Sequence, residues 1–335
     1  MSNFNLSWDK FFGNEPAADY LRKNLAENIF PHAVIFSGIE GVGKRLAAEI
    51  CAAALLCENP RDGAPCGECD NCMLTAAHTH PDLYIVEAEE TKTARNIKIG
   101  QIRDMQSEAA LLPINSARRV VIIDGAELMN KAATNCLLKT LEEPPGQTIF
   151  ILLTTNLSSL LMTIRSRCGT VRFDKLSAAC IRDVLLSRGV DDSDAKKFAA
   201  IANGSLGQAL KFSTSDGAAL RDKALDILNK LIAGKLTNEE IFTAGAKFAD
   251  WSRERFAHFI VHLQRLLRDV CFAGELEPYN SDVAARLAEM KIPERKIFLL
   301  IETGVDYRKR LRSNANLRLL AEAYLFQLRK IYQQR

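Results

Sequence analysis

The chain has 335 residues, enough for two or three domains. Its 47% hydrophobic and 25% charged content is ordinary for a soluble globular protein, and a net charge of +3 is too small to argue for nucleic acid by itself. No apolar run approaches the ~18–20 residues that span a bilayer, so no membrane role is expected. The opening MSNFNLSWDKFF has no basic stretch followed by an apolar one, so it does not read as a secretory signal and a cytoplasmic location is expected.

Up to about residue 173, short apolar runs alternate with helical stretches. AVIFS (33–37), DLYIVEA (82–88), VVIIDG (120–125), IFILLTT (149–155) and TVRF (170–173) read as strands. They are short, β-branched or aromatic, and apolar at consecutive positions, as strands covered on both faces must be. The alternation predicts a parallel α/β sheet.

The first strand runs into GIEGVGKR (38–45), which then opens a helix. Gly38, Gly41 and Gly43 allow backbone N–H groups to turn toward phosphate oxygens, and Lys44 is placed to reach the terminal phosphates. A Ser or Thr would normally follow and ligate Mg²⁺. Here Arg45 follows, with no lone pair to offer a metal. Two like unit charges ~4 Å apart cost about 4 kcal/mol at an effective dielectric of 20, and a dication doubles one of them. The cradle therefore suits ATP or ADP but not ordinary Mg²⁺-assisted hydrolysis.

Nine cysteines follow two patterns. Cys51, Cys136, Cys168, Cys180 and Cys271 are scattered among apolar neighbours and read as small core residues. Cys57, Cys66, Cys69 and Cys72 cluster with spacing C-x8-C-x2-C-x2-C, interrupted by Gly and Pro. Four thiolates so placed can surround one Zn²⁺ with no open position, which makes the role structural. His78 and His80 lie nearby but read as ordinary surface or loop histidines. Glu58, Asp62, Glu68 and Asp70 make the segment acidic, against its being a DNA-binding zinc module.

VVIIDG puts Asp124 where a P-loop fold holds its metal-orienting carboxylate. Gly125 stands where a hydrolase often has a glutamate, and Glu127, two residues on, is expected to point elsewhere.

After about residue 174 strand-like runs vanish. LSAACIRDVLLSRG (176–189) puts Leu176, Ile181, Val184 and Leu185 on one side and stops at Gly189; DSDAKKFAAIANG (192–204) stops at Gly204. From about 214 the pattern is long and amphipathic. Phe256, Phe259, Ile260, Leu263, Leu266, Leu267 and Val270 recur at helical spacing, TNEE (237–240) offers a capping box, and GELEPYNSD (274–282) is loop-like. About five helices are expected here. The fold class is thus α/β followed by all-α.

Taken in order, the cradle, the cysteine loop, LLKTLEEPP (137–145) and SRC (166–168) resemble the bacterial DNA polymerase III clamp-loader subunits, ATPases of the AAA+ type. The resemblance is strongest from about residue 30 to 212, with a less specific likeness in NANLRLLAEAYLFQL (314–328). It implies a sheet domain over 1–173 with the zinc module at 57–72, a helical lid over 174–213, and a helical collar over 214–335. It implies Thr155 and Asn156 at the sensor position, which normally watches the γ-phosphate, and assigns Glu142 and Glu143 no role. It also implies that Arg167 projects toward ATP on a neighbouring subunit.

The family's gamma/tau motor keeps Lys-Ser/Thr, Asp-Glu and a lid arginine after GSL, whereas this chain has Lys44-Arg45, Asp124-Gly125 and Gly207. Those departures fit a family member with no or weak ATPase of its own. The implied partners are gamma/tau and delta subunits in a hetero-pentamer joined through the collar, with the sliding clamp and primed DNA reached through the assembly.

Overall fold

A computed structural model describes residues 6–90, 95–213, 215–276, 278–280, 282–311 and 315–334. The chain forms two compact units. Among the described residues, the first comprises those within 6–90, 95–180 and 204–207, and the second those within 181–203 and 208–334. The stretch expected as a lid therefore contributes to both.

In the first unit, all five expected strands form one parallel sheet: β1 (Ala33–Ser37), β2 (Leu83–Glu87), β3 (Arg119–Asp124), β4 (Thr148–Thr154) and β5 (Gly169–Arg172). The spatial order is β2-β3-β4-β1-β5. The apolar runs are continuous because alternate residues serve two cores. Val120 and Ile122 face one side with Val34 and Phe36, and Val121 and Ile123 face the other with Ile35 and Phe150. Helices α1 (Glu15–Ala26) and α2 (Lys44–Leu56) contribute to the first core. The helix of the cysteine loop is α3 (Asp70–Ala76). Helices α4 (Ile99–Ala109) and α5 (Lys131–Glu142) contribute to the second core, and the short α6 (Met162–Arg165) adds the buried Ile164.

One buried knot fixes the chain between β2 and β3. Asp82 is fully buried and accepts the N–H groups of Ile114, Asn115 and Ser116 at 2.7, 2.8 and 2.9 Å. Burial alone would raise its pKa, but these donors and the nearby His80 hold it below the ordinary carboxylate range.

Helices α7 (Ala178–Ser187), α8 (Asp192–Ile201) and α9 (Leu206–Ser213) follow. Leu176 lies outside α7, because the Ser177 hydroxyl accepts the Cys180 N–H and opens the helix beyond it. Gly189 and Gly204 follow the helices at φ +83° and +85°, as their expected role as stops requires.

The second unit has its own core, built from α10 (Ser215–Ile232), α11 (Asn238–Ala249), α12 (Arg253–Cys271), the short α13 (Ala284–Ala288), α14 (Glu294–Arg310) and α15 (Leu317–Gln333). Thr237 caps α11 by accepting the Glu240 N–H. The apolar stripe of α12 is buried from Phe256 to Val270. Among the described residues, no helix is long and apolar enough to cross a membrane.

Candidate functional site

The parallel sheet brings Ser37, Asp124 and Thr154 to one end: Ser37 pairs with Thr154, and Asp124 with Leu153 beside it. The glycine loop leaves β1 there, where open α/β sheets place their ligands. Gly41 and Gly43 have φ of +79° and +100°, so the loop adopts the left-handed turns a cradle needs.

The two cations of the loop, Lys44 and Arg45, are both engaged within the chain. Lys44 is buried, and its ammonium donates to the loop's own carbonyls, Gly38 at 2.6 Å and Ile39 at 2.8 Å. Burial pulls it below the usual lysine range, opposed by Glu127, Asp124 and Glu40. The loop is also closed from outside. Gly207 N–H donates to Gly41 O at 2.9 Å, and a Cβ on Gly207 would lie 3.0 Å from Gly41 Cα. The lid arginine of the motor type would therefore crowd this contact.

Arg45 reaches across the same sheet end. Its Nε donates to Glu49 Oε1 at 2.5 Å, and Nη1 donates to Glu87 Oε1 at 2.7 Å and to Asp124 Oδ2 at 2.9 Å. Burial works against its charge, but the three carboxylates outweigh it and keep the guanidinium protonated above its ordinary range. Mg²⁺ does not fit here: its carboxylate is already bound by a cation, and the residue that should ligate it is that cation.

Glu127 departs from expectation. Its Oε1 accepts both the N–H and the hydroxyl of Thr155, at 3.0 and 2.5 Å, so it braces Thr155 and adds negative charge against Lys44. Asn156 caps the following turn, its Oδ1 accepting the Ser158 N–H at 3.1 Å.

The four expected cysteines converge, their Sγ atoms all within 4.8 Å of one another. Cys57 and Cys69 sulfurs are 3.9 Å apart and Cys66 and Cys72 sulfurs 3.8 Å, against the ~3.8 Å edge of a tetrahedron with ~2.3 Å arms. Backbone N–H groups of Cys66, Cys69 and Cys72 donate to the sulfurs of Cys57, Cys66 and Cys69 at 3.3–3.4 Å. Gly67, at φ +77°, makes the turn inside this knuckle. The donor set can hold a metal such as zinc. Asn71 anchors the module by donating to Leu56 O at 3.1 Å. His80 is no ligand here, but neither is it a surface residue. It is buried, and Nδ1 accepts the Asp82 N–H at 3.0 Å. His78 is half-exposed, as expected.

Arg167 sits between α6 and β5. Its Nη2 pairs with Glu142 Oε1 at 2.5 Å, and its Nη1 donates to Thr163 O at 2.9 Å. Sequence reasoning missed Glu49 and Glu87 and left Glu142 without a role. Only Glu49 carried a local signal, at the i,i+4 spacing from Arg45.

A family model described as "DNA polymerase III, delta subunit" matches residues 13–177. The chain is similar to DNA polymerase III subunit delta' of Pseudomonas aeruginosa, 36% identical over 197 residues that cover 59% of each chain. It is similar to DNA polymerase III subunit delta' of Bacillus subtilis, 29% identical over 336 residues covering 97% of this chain and 99% of that one. DNA polymerase III subunit tau of Bacillus subtilis is 36% identical over 169 residues, covering 50% of this chain and 29% of that one. The match to the Pseudomonas protein, like that to tau, spans less than two thirds of the relative's own length.

Proposed function

Because the chain belongs to the DNA polymerase III delta-prime family of clamp-loader subunits, we propose that it serves DNA replication as a subunit that does not turn over ATP itself and lends Arg167 to ATP on a neighbouring subunit. The observation that carries this reading is Arg45. Its guanidinium holds Asp124, Glu87 and Glu49, the first of these being the carboxylate a hydrolytic metal would need. Lys44 is likewise committed to the loop's own carbonyls. For a nucleotide to be gripped as in a motor subunit, both cations would have to leave their partners.

In this reading, residues 1–173 are the sheet domain, 174–213 the lid, and 214–335 the collar that joins gamma/tau and delta subunits. Zinc at Cys57, Cys66, Cys69 and Cys72 is structural, holding a loop with little core of its own. The sliding clamp and primed DNA are met through the assembly. Arg167 supplies a fixed cation to charge that develops on a transferring phosphoryl group, an effect worth ~10³–10⁵ in rate for P-loop enzymes.

The test is ATP binding and turnover by the purified chain, with and without Mg²⁺. No Mg²⁺-dependent turnover is expected. Robust turnover abolished by Lys44→Ala would return the chain to the motor type.

A further inference from the structure

The pairing of Arg167 with Glu142 has features that an incidental surface contact lacks. Both terminal nitrogens of Arg167 are committed within the chain, Nη2 to Glu142 and Nη1 to Thr163 O. Glu142 is the last residue of α5, where the helix dipole disfavours an anion. Two prolines follow Glu143 and end the helix, so Glu142 cannot shift along it. A carboxylate and a phosphate both present paired oxygens to an arginine fork. The geometry gives Arg167 an internal anion of the kind it would meet on ATP.

We propose that Glu142 is a latch for Arg167, holding the guanidinium in the separate subunit and competing with the neighbour's phosphate for it. This rests on the reading of Arg167 as a residue that acts on a neighbour's ATP. Glu142 acts only through Arg167, so it is a positioning residue. The transferring phosphoryl group carries more charge than one carboxylate, so the arginine passes to it as that charge develops in the transition state. Until then the latch lowers the fraction of Arg167 free to engage. The two side chains are 34% and 49% exposed, and an exposed pair of this kind biases an equilibrium by a factor of about two to five.

The experiment compares loaders reconstituted with the wild-type chain, Glu142→Gln, Arg167→Ala and the double variant, with ATP as substrate. Assembly is checked for each by size. Glu142→Gln is expected to raise kcat about two- to fivefold with KM for ATP unchanged, because a transition-state contact alone has been released. The increase is expected to vanish in the Arg167→Ala background, which a merely structural role for Glu142 would not produce. Glu142→Ala should match Glu142→Gln. If Glu142→Gln leaves kcat unchanged or lowers it while Arg167→Ala still abolishes stimulation, the latch is wrong and the role of Arg167 stands. If Arg167→Ala itself has no effect, the reading beneath the latch fails too.

Discussion

Replacing Arg45 by Ser restores the residue type of a metal-binding cradle and removes the cation now bound there. The Arg45–Glu49 contact is the best shielded, with side chains 29% and 14% exposed, and a charge-assisted bond of this kind is worth roughly 1.5–3 kcal/mol. Glu87 and Asp124 are 60% and 41% exposed, so each of those pairs contributes about 1 kcal/mol or less. Loss of all three gives about 2–5 kcal/mol. For a unit of this size 2 kcal/mol corresponds to roughly 4–8 °C in Tm.

The variant also leaves three carboxylates facing one another with no cation between them. Thermal unfolding in Mg²⁺-free buffer at neutral pH should show the Arg45→Ser loss. Adding millimolar MgCl₂ should recover part of it, because an ion that binds only the folded state raises stability. The wild-type chain should not respond, since its own guanidinium already holds the carboxylates. Equal responses to Mg²⁺ in both proteins, or no Tm loss in the variant, would refute the view that Arg45 stands in the metal's place.

The cysteine cluster should bind one zinc per chain, read by metal analysis of the purified protein, and Cys69→Ser should lose it and make the 57–76 segment protease-sensitive. His262 gives a pH prediction. It is buried on α12, its ring against Phe212 at 4.9 Å, with no hydrogen-bond partner at either ring nitrogen. Burial first, then the positive charges of Arg265, His258 and Arg221, push it down to about 3. Its unfolded value is ~6.5, so the unfolded state binds the proton first. Its contribution is fully present above pH ~6.5 and is lost as pH falls from there toward 3, at up to ~1.4 kcal/mol per pH unit. Urea unfolding between pH 7 and 5 should lose this slope in His262→Leu; an unchanged slope would show that another group sets it.

The three inner strands, β1, β3 and β4, were legible because each must satisfy a core on both faces, which leaves runs such as VVIID without a polar break. The cysteines were legible because a metal module in a short loop has to be encoded by spacing. Arg45 announced itself as an exception to the cradle, but its partners did not. Glu87 and Asp124 lie 42 and 79 residues away and meet only because neighbouring parallel strands end in register. Glu142 and Arg167 are likewise joined by the return of the chain through β4 and α6. His80 looked like a surface residue because its short loop carries little apolar signal. Its burial comes from the Asp82 knot, which exists only once residues 114–116 fold back onto it.

The most direct test of the central claim is ATP turnover by a neighbouring subunit in a loader reconstituted with Arg167→Ala. Assembly should be intact, the isolated chain should remain without turnover, and the neighbour's rate should fall about 10-fold or more, toward the ~10³-fold scale of P-loop arginine fingers. An unchanged rate in a fully assembled Arg167→Ala loader would contradict the account.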